Sequence, residues 1–348
     1  MAALTSAILI HGADDLRIGE VELLDPGPGE VAIRVARGGI TATDLLLYQQ
    51  GPSKDPRQKQ PLIPGSEITG TVFAIGSGVT RVRPGDRVAL NPSQTCGYCF
   101  HCRAGRPLHC NERRFFGSAE RFPATQGGFR QSLICAESQA VPAGQETPFD
   151  RAAFATSLAQ ALHAVRVSGK IAGQRVFISG CGPLGLLSLL AARHAGARQI
   201  IAGDVTSKPL QLALRLGADA VLNVSAETDA LKSLRSDEGM VDIAFETSGT
   251  STETALAFSC VRPGGRIIQM TQGLDMKLGL DLLITKEIQY YGAFRFHEEF
   301  EWAVDLLSKR AIDVTPLLGA AMPFRNARAA FDLALDRAEA TKVQLVFE

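Results

Sequence analysis

The sequence lacks an excess of charge of either sign, and it lacks a long apolar run. Its 348 residues include 36 basic and 36 acidic side chains, so no net field attracts the chain to nucleic acid or to an anionic membrane. The longest apolar stretch, LGLLSLLAA, has about half the length that spans a bilayer. The first residues, MAALTSAILIHG, lack the basic region and long apolar core of a signal peptide. We therefore predict a soluble cytoplasmic protein without nucleic-acid or membrane partners.

Two regions of different composition follow each other along the chain. Residues 1–150 are rich in Gly, Pro and short β-branched runs such as EVAIRVA, which is typical of strands separated by turns. From about residue 157, strands such as RVFISG alternate with helices such as PLGLLSLLAARHAG in units of about 30 residues. This order predicts an α/β protein, with a β-rich body followed by a parallel, doubly wound sheet. The last segment, with helices at 297–310 and 325–336 and the strand KVQLVF, is expected to return to the first body.

A glycine-rich turn, SGCGPLG, follows a predicted strand and opens a predicted helix. Gly180 permits a tight turn, Gly182 lets the backbone approach a pyrophosphate, and Gly185 lets helix and strand pack closely. An acidic residue, Asp204, stands about 20 residues further on, at the end of the next strand. We therefore predict a coenzyme site for NAD(H) or NADP(H). Its predicted residues are Gly180, Gly182, Pro183, Leu184, Gly185, Asp204, Lys208 and Ser248.

The coenzyme preference stays open. Asp204 would accept hydrogen bonds from both ribose hydroxyls and disfavour a 2′-phosphate, which favours NAD(H). Ser207 and Lys208 lie close behind and could receive that phosphate, which favours NADP(H). Lys208 could equally be a solvated helix residue.

Four of the seven cysteines are clustered with the spacing Cys-x2-Cys-x2-Cys-x7-Cys. Such a cluster favours a metal site in a reducing compartment over disulfides. Four thiolates form the tetrahedral shell that suits zinc, and they leave no open position for chemistry. One structural zinc ion per chain is therefore predicted. Its predicted ligands are Cys96, Cys99, Cys102 and Cys110.

Several stretches together resemble the medium-chain dehydrogenase/reductases, in particular the branch of the sorbitol and L-idonate 5-dehydrogenases. They are RGGI with TDLLLYQQG, NPSQTCGYCFHC, RFFGSAERFP, RVFISGCGPLG, GAFRF and KVQLVF, and they extend from end to end of the chain. The resemblance implies a GroES-like catalytic domain in two pieces, residues 1–156 and 294–348, with a structural zinc lobe at 92–115. A Rossmann domain at 157–293 would lie between them in the sequence. It also implies a homodimer or homotetramer.

The sequence departs from this family at the catalytic metal. Such enzymes hold a second, catalytic zinc ion, and the positions of its three ligands carry Thr41, Ser66 and Thr156 here. Of the adjoining pattern only a glutamate remains, as Glu67. Three neutral hydroxyls and one carboxylate do not supply the ligands that zinc requires, so no catalytic zinc is expected.

Loss of the zinc ion changes the expected chemistry. Oxidation of a polyol would lose a Lewis acid at the developing alkoxide. Reduction of a carbon–carbon double bond conjugated to a carbonyl is less demanding, because hydrogen-bond donors can stabilise the enolate. We therefore expect an NAD(P)H-dependent reductase of an unsaturated cyclitol ketone, in pseudosugar or aminocyclitol biosynthesis. The candidate catalytic residues are Thr41, Thr43, Ser66, Glu67, Thr156 and Arg295, the last at the position of the family's substrate-pocket arginine.

Three alternatives stay open. One is a polyol or sugar-acid dehydrogenase of the L-idonate or sorbitol type, which oxidises a secondary alcohol. Another is a non-catalytic NADP(H)-binding protein, because an intact glycine turn fits both classes. The third is a zinc-free alcohol dehydrogenase that acts through Thr43 and Glu67. A separate hypothesis is that Arg113, Arg114 and Arg121 bind a substrate phosphate.

Overall fold

A computed structural model describes residues 3–52, 55, 57–58, 60–226, 229–272 and 277–347 of the chain. The chain divides into two compact units. Unit 1 is built from residues 1–156 and 300–348, and unit 2 from residues 157–299. The second boundary follows Glu299, whereas the sequence analysis placed it after residue 293. Arg295, expected in the C-terminal piece of the catalytic domain, therefore belongs to unit 2.

The helices and strands follow in chain order. Up to residue 156 they are β1 (Ala3–Gly12), β2 (Asp15–Leu23), β3 (Glu30–Gly39), α1 (Ala42–Gln50), β4 (Glu67–Ile75), β5 (Arg87–Leu90), β6 (Ser93–Gln94), α2 (Phe100–Arg103), β7 (Arg114–Phe115), β8 (Ser132–Ala136), β9 (Ala140–Pro142) and α3 (Phe149–Ala152). The next are α4 (Ala155–Val167), β10 (Arg175–Ser179), α5 (Pro183–His194), β11 (Gln199–Asp204), α6 (Ser207–Arg215), β12 (Ala220–Asn223), α7 (Asp229–Arg235), β13 (Val241–Glu246), α8 (Ser251–Cys260), β14 (Val261–Gln269), α9 (Leu280–Thr285) and β15 (Gln289–Gly292). The last are α10 (Glu299–Ser308), β16 (Leu318–Pro323), α11 (Ala327–Leu335) and β17 (Lys342–Val346).

The main sheet of unit 1 has the strand order β16–β17–β3–β4–β5–β9, with β8 also pairing with β3. Apart from the parallel pair β16 and β17, its strands are antiparallel. β3 has three partners because β8 and β17 share one of its edges, β8 along residues 30–34 and β17 along residues 37–39, while β4 occupies the other. Its side chains Ile33 and Val35 are buried in a core that also contains Phe129. The predicted β-rich body is confirmed.

The ends of three strands meet at Gly39. In the antiparallel registers Gly39 lies opposite Glu67 of β4 and opposite Gln344 of β17. A Cβ atom on Gly39 would lie 2.1 Å from Glu67 Oε2 and 3.1 Å from Lys342 Cε, so the close approach of these side chains requires glycine. α1 begins directly after β3, which brings Thr41 to the same end of the sheet. This junction positions the candidate site of unit 1.

The sheet of unit 2 has six parallel strands in the order β12–β11–β10–β13–β14–β15. The chain leaves β10 toward β11 on one side and later returns to β13 on the other side. The carboxyl end of β10 is therefore the topological switch point, where doubly wound sheets bind their ligands. The predicted doubly wound domain is confirmed. None of the helices within the described ranges is long and apolar enough to cross a membrane.

Candidate functional site

The glycine turn of unit 2 connects β10 to α5 at the switch point. Gly180 has a φ of 91°, and a Cβ atom on Gly185 would lie 1.9 Å from the carbonyl oxygen of Gly180. Gly182 is the N-cap of α5, and nothing in the described chain lies within 4 Å of a Cβ atom built there. The turn is therefore closed at Gly180 and Gly185 but open at Gly182, where the first N–H groups of α5 favour an anion. This geometry fits a dinucleotide pyrophosphate. Pro183 and Leu184 form the first turn of α5.

Asp204 lies at the end of β11 and is 1 % exposed. Its Oδ2 accepts a hydrogen bond from Cys181 N at 2.7 Å, and its Oδ1 accepts one from Thr206 N at 2.9 Å. The carboxylate therefore braces the glycine turn through Cys181. Ser207 and Lys208 are exposed on the first turn of α6. The contact of Asp204 with the ribose stays a prediction, as does the contact of Lys208 with a phosphate.

Ser248 follows β13 and lies against the glycine turn, since a Cβ atom on Gly180 would be 3.0 Å from Ser248 N. Its amide donates to Glu246 Oε1 at 2.9 Å. Glu246 is fully buried and also accepts a hydrogen bond from Gln269 Nε2 at 2.5 Å. The sequence analysis missed Glu246. The available signal was an acidic residue at the end of a strand, two residues before the predicted site residue Ser248.

The four clustered cysteines form a compact set of sulfur atoms in unit 1. All four Sγ atoms lie within 4.8 Å of one another, with Cys96 Sγ 3.5 Å from Cys110 Sγ and 4.0 Å from Cys102 Sγ. Tetrahedral zinc, with Zn–S bonds of about 2.3 Å, places its sulfurs about 3.8 Å apart. The amides of Cys96 and Glu112 each donate to Cys110 Sγ at 3.3 Å. With Cys99 as the fourth ligand, the donor set fits a structural zinc ion.

Strands β6 and β7, which precede and follow the four cysteines in the chain, pair with each other. Among the residues that the structure describes, the four cysteines are the one group of three or more His, Cys, Asp or Glu side chains within metal-binding distance.

Thr41 and Asp44 are joined by hydrogen bonds at the start of α1. Thr41, the N-cap, donates from Oγ1 to Asp44 Oδ2 at 2.6 Å, and Asp44 N donates back to Thr41 Oγ1 at 3.4 Å. The second oxygen, Asp44 Oδ1, accepts a hydrogen bond from Gly65 N at 2.8 Å. Burial raises the pKa of Asp44, and the hydrogen bonds from Thr41 and Gly65 act against that rise. The sequence analysis did not use Asp44, although the pattern Thr-x-x-Asp is the signature of a capping box.

Ser66 and Thr156 are buried neighbours in unit 1. Thr156 Oγ1 donates to the carbonyl oxygen of Ser66 at 3.1 Å, so its hydroxyl hydrogen is engaged within the protein. In the part of the chain that the structure describes, the Ser66 hydroxyl makes no hydrogen bond. Thr43 is exposed on the first turn of α1. Of the four predicted hydroxyls, Thr41, Ser66 and Thr156 are thus linked through Asp44 and Gly65, and Ser66 has an uncommitted donor.

Glu67 and Lys342 form a buried ion pair behind these hydroxyls. Lys342 Nζ lies 2.5 Å from Glu67 Oε2 and donates to the carbonyl oxygen of Ile40 at 2.9 Å. The side chains are 0 % and 2 % exposed. Lys342 was missed from the sequence, where a lysine in a closing strand has no distinguishing signal.

The arginines considered from the sequence have different surroundings. Arg295 has a positive φ of 53°, and its guanidinium lies 4.9 Å from the centre of the Phe294 ring. Its role toward a substrate stays a prediction. Arg113 pairs with Glu120, Arg121 lies 3.8 Å from Glu112, and Arg114 donates to the carbonyl oxygen of Pro123. These contacts favour structural roles for Arg113, Arg114 and Arg121 over phosphate binding.

Two family models match the chain. One, described as the alcohol dehydrogenase GroES-like domain, matches residues 27–145, and the other, described as zinc-binding dehydrogenase, matches residues 183–309. The chain belongs to the zinc-type alcohol dehydrogenases of the medium-chain dehydrogenase/reductase superfamily. It is therefore an NAD(P)-dependent oxidoreductase, which leaves the non-catalytic alternative without support.

Individual relatives place this zinc-type dehydrogenase in the predicted branch. The L-idonate 5-dehydrogenase (NAD(P)(+)) of Escherichia coli is 35% identical over 348 residues, the whole length of both chains. The sorbitol dehydrogenase of Gallus gallus is 30% identical over 97% of this chain and 95% of its own. A crystal structure of the Escherichia coli L-idonate 5-dehydrogenase superposes with a TM-score of 0.93 at 34% identity, covering 99% of each chain.

Proposed function

We propose that this enzyme transfers hydride between NAD(P)(H) and a polyhydroxylated substrate of the polyol or sugar-acid class, without a catalytic zinc ion. The names of the two relatives support the substrate class and the interconversion of a secondary alcohol and a ketone. The observation that carries the zinc-free mechanism is the linked set of Thr41, Ser66 and Thr156. These three residues stand at the positions of the family's zinc ligands and offer neutral hydroxyls instead of soft or charged ligands. The hydroxyls of Thr41 and Thr156 donate to protein oxygens, and that of Ser66 is uncommitted.

The hydroxyls of unit 1 can stabilise charge on the reacting oxygen. When bound, the coenzyme supplies or accepts the hydride, so the protein has to hold the substrate oxygen and manage its proton. Ser66, whose hydroxyl is uncommitted, is the proposed donor to that oxygen. In a dry site one such donor contributes about 2.7–4 kcal/mol at the transition state. The ion pair of Glu67 and Lys342 holds the backbone on either side of the site at Ile40 and Ser66.

A second candidate is reduction of the conjugated double bond of an unsaturated cyclitol ketone. It is favoured by the neutral chemistry of Thr41 and Ser66, because an enolate spreads its charge over several atoms and needs less stabilisation than an alkoxide. In this reaction hydride reaches the β-carbon, and the same hydroxyls would bind the carbonyl oxygen. Because its ring is polyhydroxylated, such a ketone resembles the polyol substrates of the first candidate reaction.

A substrate panel decides between the two reactions. L-Idonate and sorbitol are offered with NAD⁺ and NADP⁺, and keto sugars and cyclitol enones with NADH and NADPH. Products are identified by proton NMR, in which loss of a vinyl signal marks double-bond reduction. Alcohol–ketone turnover by protein that holds about one zinc ion per chain is the expected result. Vinyl loss alone would favour the second candidate, and coenzyme binding without turnover of either class would contradict both.

A further inference from the structure

Asp44 is a buried carboxylate with more partners than a helix cap needs. It is 2 % exposed and accepts three hydrogen bonds, from Thr41 N at 2.9 Å, Thr41 Oγ1 at 2.6 Å and Gly65 N at 2.8 Å. The contacts with Thr41 lie within one capping box, but Gly65 belongs to the segment before β4. Asp44 thus connects the N-cap of α1 to the residue beside Ser66.

The hydroxyl of Thr41 interacts with this carboxylate more closely than with the helix backbone. The capping contact from Asp44 N is 3.4 Å, at the limit of a hydrogen bond, whereas Thr41 Oγ1 and Asp44 Oδ2 are 2.6 Å apart. The shorter distance is that of a charge-assisted O–H···O contact, across which a proton can move. Thr41 is only half-buried, whereas its partner Asp44 is enclosed.

We propose that Thr41 and Asp44 form the proton relay of this enzyme, an inference that rests on the proposed function. Thr41 is the catalytic residue that touches the substrate oxygen, and Asp44 is the positioning residue that exchanges a proton with Thr41. In reduction, the carbonyl carbon takes hydride from the reduced coenzyme as the C–O π bond breaks. The carbonyl oxygen then takes the hydrogen of Thr41 Oγ1, and Thr41 Oγ1 takes the proton of Asp44 Oδ2.

The relay is balanced in both directions. Reduction yields the alcohol, the oxidised coenzyme and an ionised Asp44, which regains a proton from solvent. Oxidation starts from ionised Asp44. The carbinol carbon loses hydride to the oxidised coenzyme, and the substrate hydroxyl gives its proton to Thr41 as Thr41 gives its own to Asp44, which then releases a proton to solvent. For an enone, the same proton transfer to oxygen yields the enol, which tautomerises to the saturated ketone.

The surroundings of Asp44 allow both protonation states. Burial raises the pKa of Asp44, whereas hydrogen bonds from Thr41 and Gly65 and the charge of Lys342 on β17 lower it. The Lys342 ammonium is engaged by Glu67 of β4 at 2.5 Å and by the carbonyl oxygen of Ile40. The second buried carboxylate therefore has the direct ion pair, and Asp44 is left with hydrogen bonds.

The test compares Thr41→Val, Thr41→Ser and Asp44→Asn in the full-length enzyme, with the substrate that the panel identifies. We expect Thr41→Val to lower kcat about 10²- to 10⁴-fold, the range of general acid–base catalysis, without weakening coenzyme binding. Thr41→Ser keeps the hydroxyl and should stay within about tenfold of the parent. Asp44→Asn can still accept from Gly65 N but has no proton to transfer, so its kcat should fall as well.

The pH profile separates a relay from a structural role. In the parent enzyme, kcat for reduction should fall as pH rises through the pKa of Asp44, and kcat for oxidation should fall as pH decreases through the same value. These two pH-dependent falls in kcat, the two limbs of the profile, should vanish in Asp44→Asn. Thr250→Val is the matched control, because Thr250 caps α8 through Glu253 N at 3.2 Å and also donates to Glu253 Oε2 at 2.9 Å. It should lower the Tm but keep both limbs.

A spectroscopic titration tests the relay without turnover. The carbon-13 NMR signal of the Asp44 carboxyl, assigned with Asp44→Asn, should titrate above the ordinary aspartate pKa of 3.8. Titration at or below that value would overturn the relay. So would a Thr41→Val enzyme with more than about half of the parent kcat, or an Asp44→Asn enzyme that keeps both limbs. These results would leave the proposed function intact, whereas failure of the parent enzyme on the whole panel would contradict that function.

Discussion

Lys342 Nζ lies 2.5 Å from Glu67 Oε2, in a pair whose two side chains are almost wholly enclosed. The pair joins the last strand of the chain to β4, and both side chains pass the backbone of Gly39 on β3. Lys342 also fixes the carbonyl oxygen of Ile40, one residue before Thr41. The ion pair therefore holds three strands of unit 1 in the arrangement that brings Thr41 and Ser66 together.

Removal of one member of this pair should be costly. Lys342→Met leaves Glu67 as an uncompensated buried charge, so we expect a loss of about 3–5 kcal/mol in the free energy of unfolding. The double variant Lys342→Met with Glu67→Gln should regain part of that loss, because no charge remains buried. Urea unfolding followed by circular dichroism measures both.

A surface pair provides the control for the buried one. Lys309, directly after α10, lies 2.8 Å from Asp305 on that helix, and the two side chains are 70% and 55% exposed. Lys309→Met should therefore cost less than about 1 kcal/mol. Equal losses from Lys309→Met and Lys342→Met would contradict the account of the buried pair.

The sequence analysis predicted strands of this junction, but not which of their side chains meet. EVAIRVA and KVQLVF were each predicted as strands, and Glu67 was a candidate residue. Lys342 was missed because its importance depends on which distant strands pair with each other. Asp44 was missed because its role depends on the approach of α1 to the segment before β4. The capping pattern at Thr41 was available, but it does not reveal the contact of Asp44 with Gly65.

Substitutions in the glycine turn can separate its predicted role in binding the coenzyme from its role in packing α5 against β10. Gly182→Val fills open space at an N-cap with a φ of −67°, which valine can adopt, so folding should be preserved. The side chain would occupy the predicted pyrophosphate position, and we expect the coenzyme Kd to rise about tenfold or more, at least about 1.4 kcal/mol. Fluorescence titration with NADH and NADPH measures the change.

Gly185→Ala should behave differently from Gly182→Val. Its Cβ atom would lie 1.9 Å from the carbonyl oxygen of Gly180, so helix and strand must separate, at a cost of about 1–3 kcal/mol. We expect both a lower Tm and weaker coenzyme binding. A Gly182→Val protein with unchanged coenzyme affinity would exclude the predicted pyrophosphate position.

Unit 2 contains a carboxylate whose stabilising effect depends on pH. Glu299 is fully buried; its Oε1 lies 2.9 Å from His163 Nδ1 and also accepts a hydrogen bond from Arg166 Nε, and its Oε2 accepts one from His297 N. Burial alone would raise the pKa of Glu299, but the hydrogen bonds from His163 and His297 bring it to about 2, against an ordinary value of 4.5.

This depressed pKa predicts a loss of stability in acid. Between pH 4.5 and about 2 the unfolded chain binds a proton at Glu299 that the folded protein does not, so stability falls as pH falls through that window. The contribution present above pH 4.5 is on the order of 3 kcal/mol. Glu299→Gln should therefore have a lower Tm than the parent at pH 6, and the difference should shrink toward pH 2. A constant difference across this range would contradict the assignment.

The number of zinc ions per chain tests whether unit 1 lacks the catalytic zinc ion of its family. The four cysteines should hold about one zinc ion per chain, and Cys102→Ser should release it, as elemental analysis of protein purified without added metal would show. About two ions per chain in the parent would mean that a metal binds at the hydroxyl positions after all. The zinc-free mechanism would then be wrong.

Restoring the missing ligands is the converse experiment. Thr41 and Asp44 are hydrogen-bonded, and Thr156 is hydrogen-bonded to Ser66, so the backbone around Thr41, Ser66 and Thr156 is already held together. Thr41→Cys, Ser66→His and Thr156→Glu combined supply a thiolate, an imidazole and a carboxylate, with water as the fourth ligand. The triple variant should bind about two zinc ions per chain, and about one when Cys102→Ser is added. If it binds only one, the difference from the zinc enzymes lies in the backbone of unit 1 and not only in the three side chains.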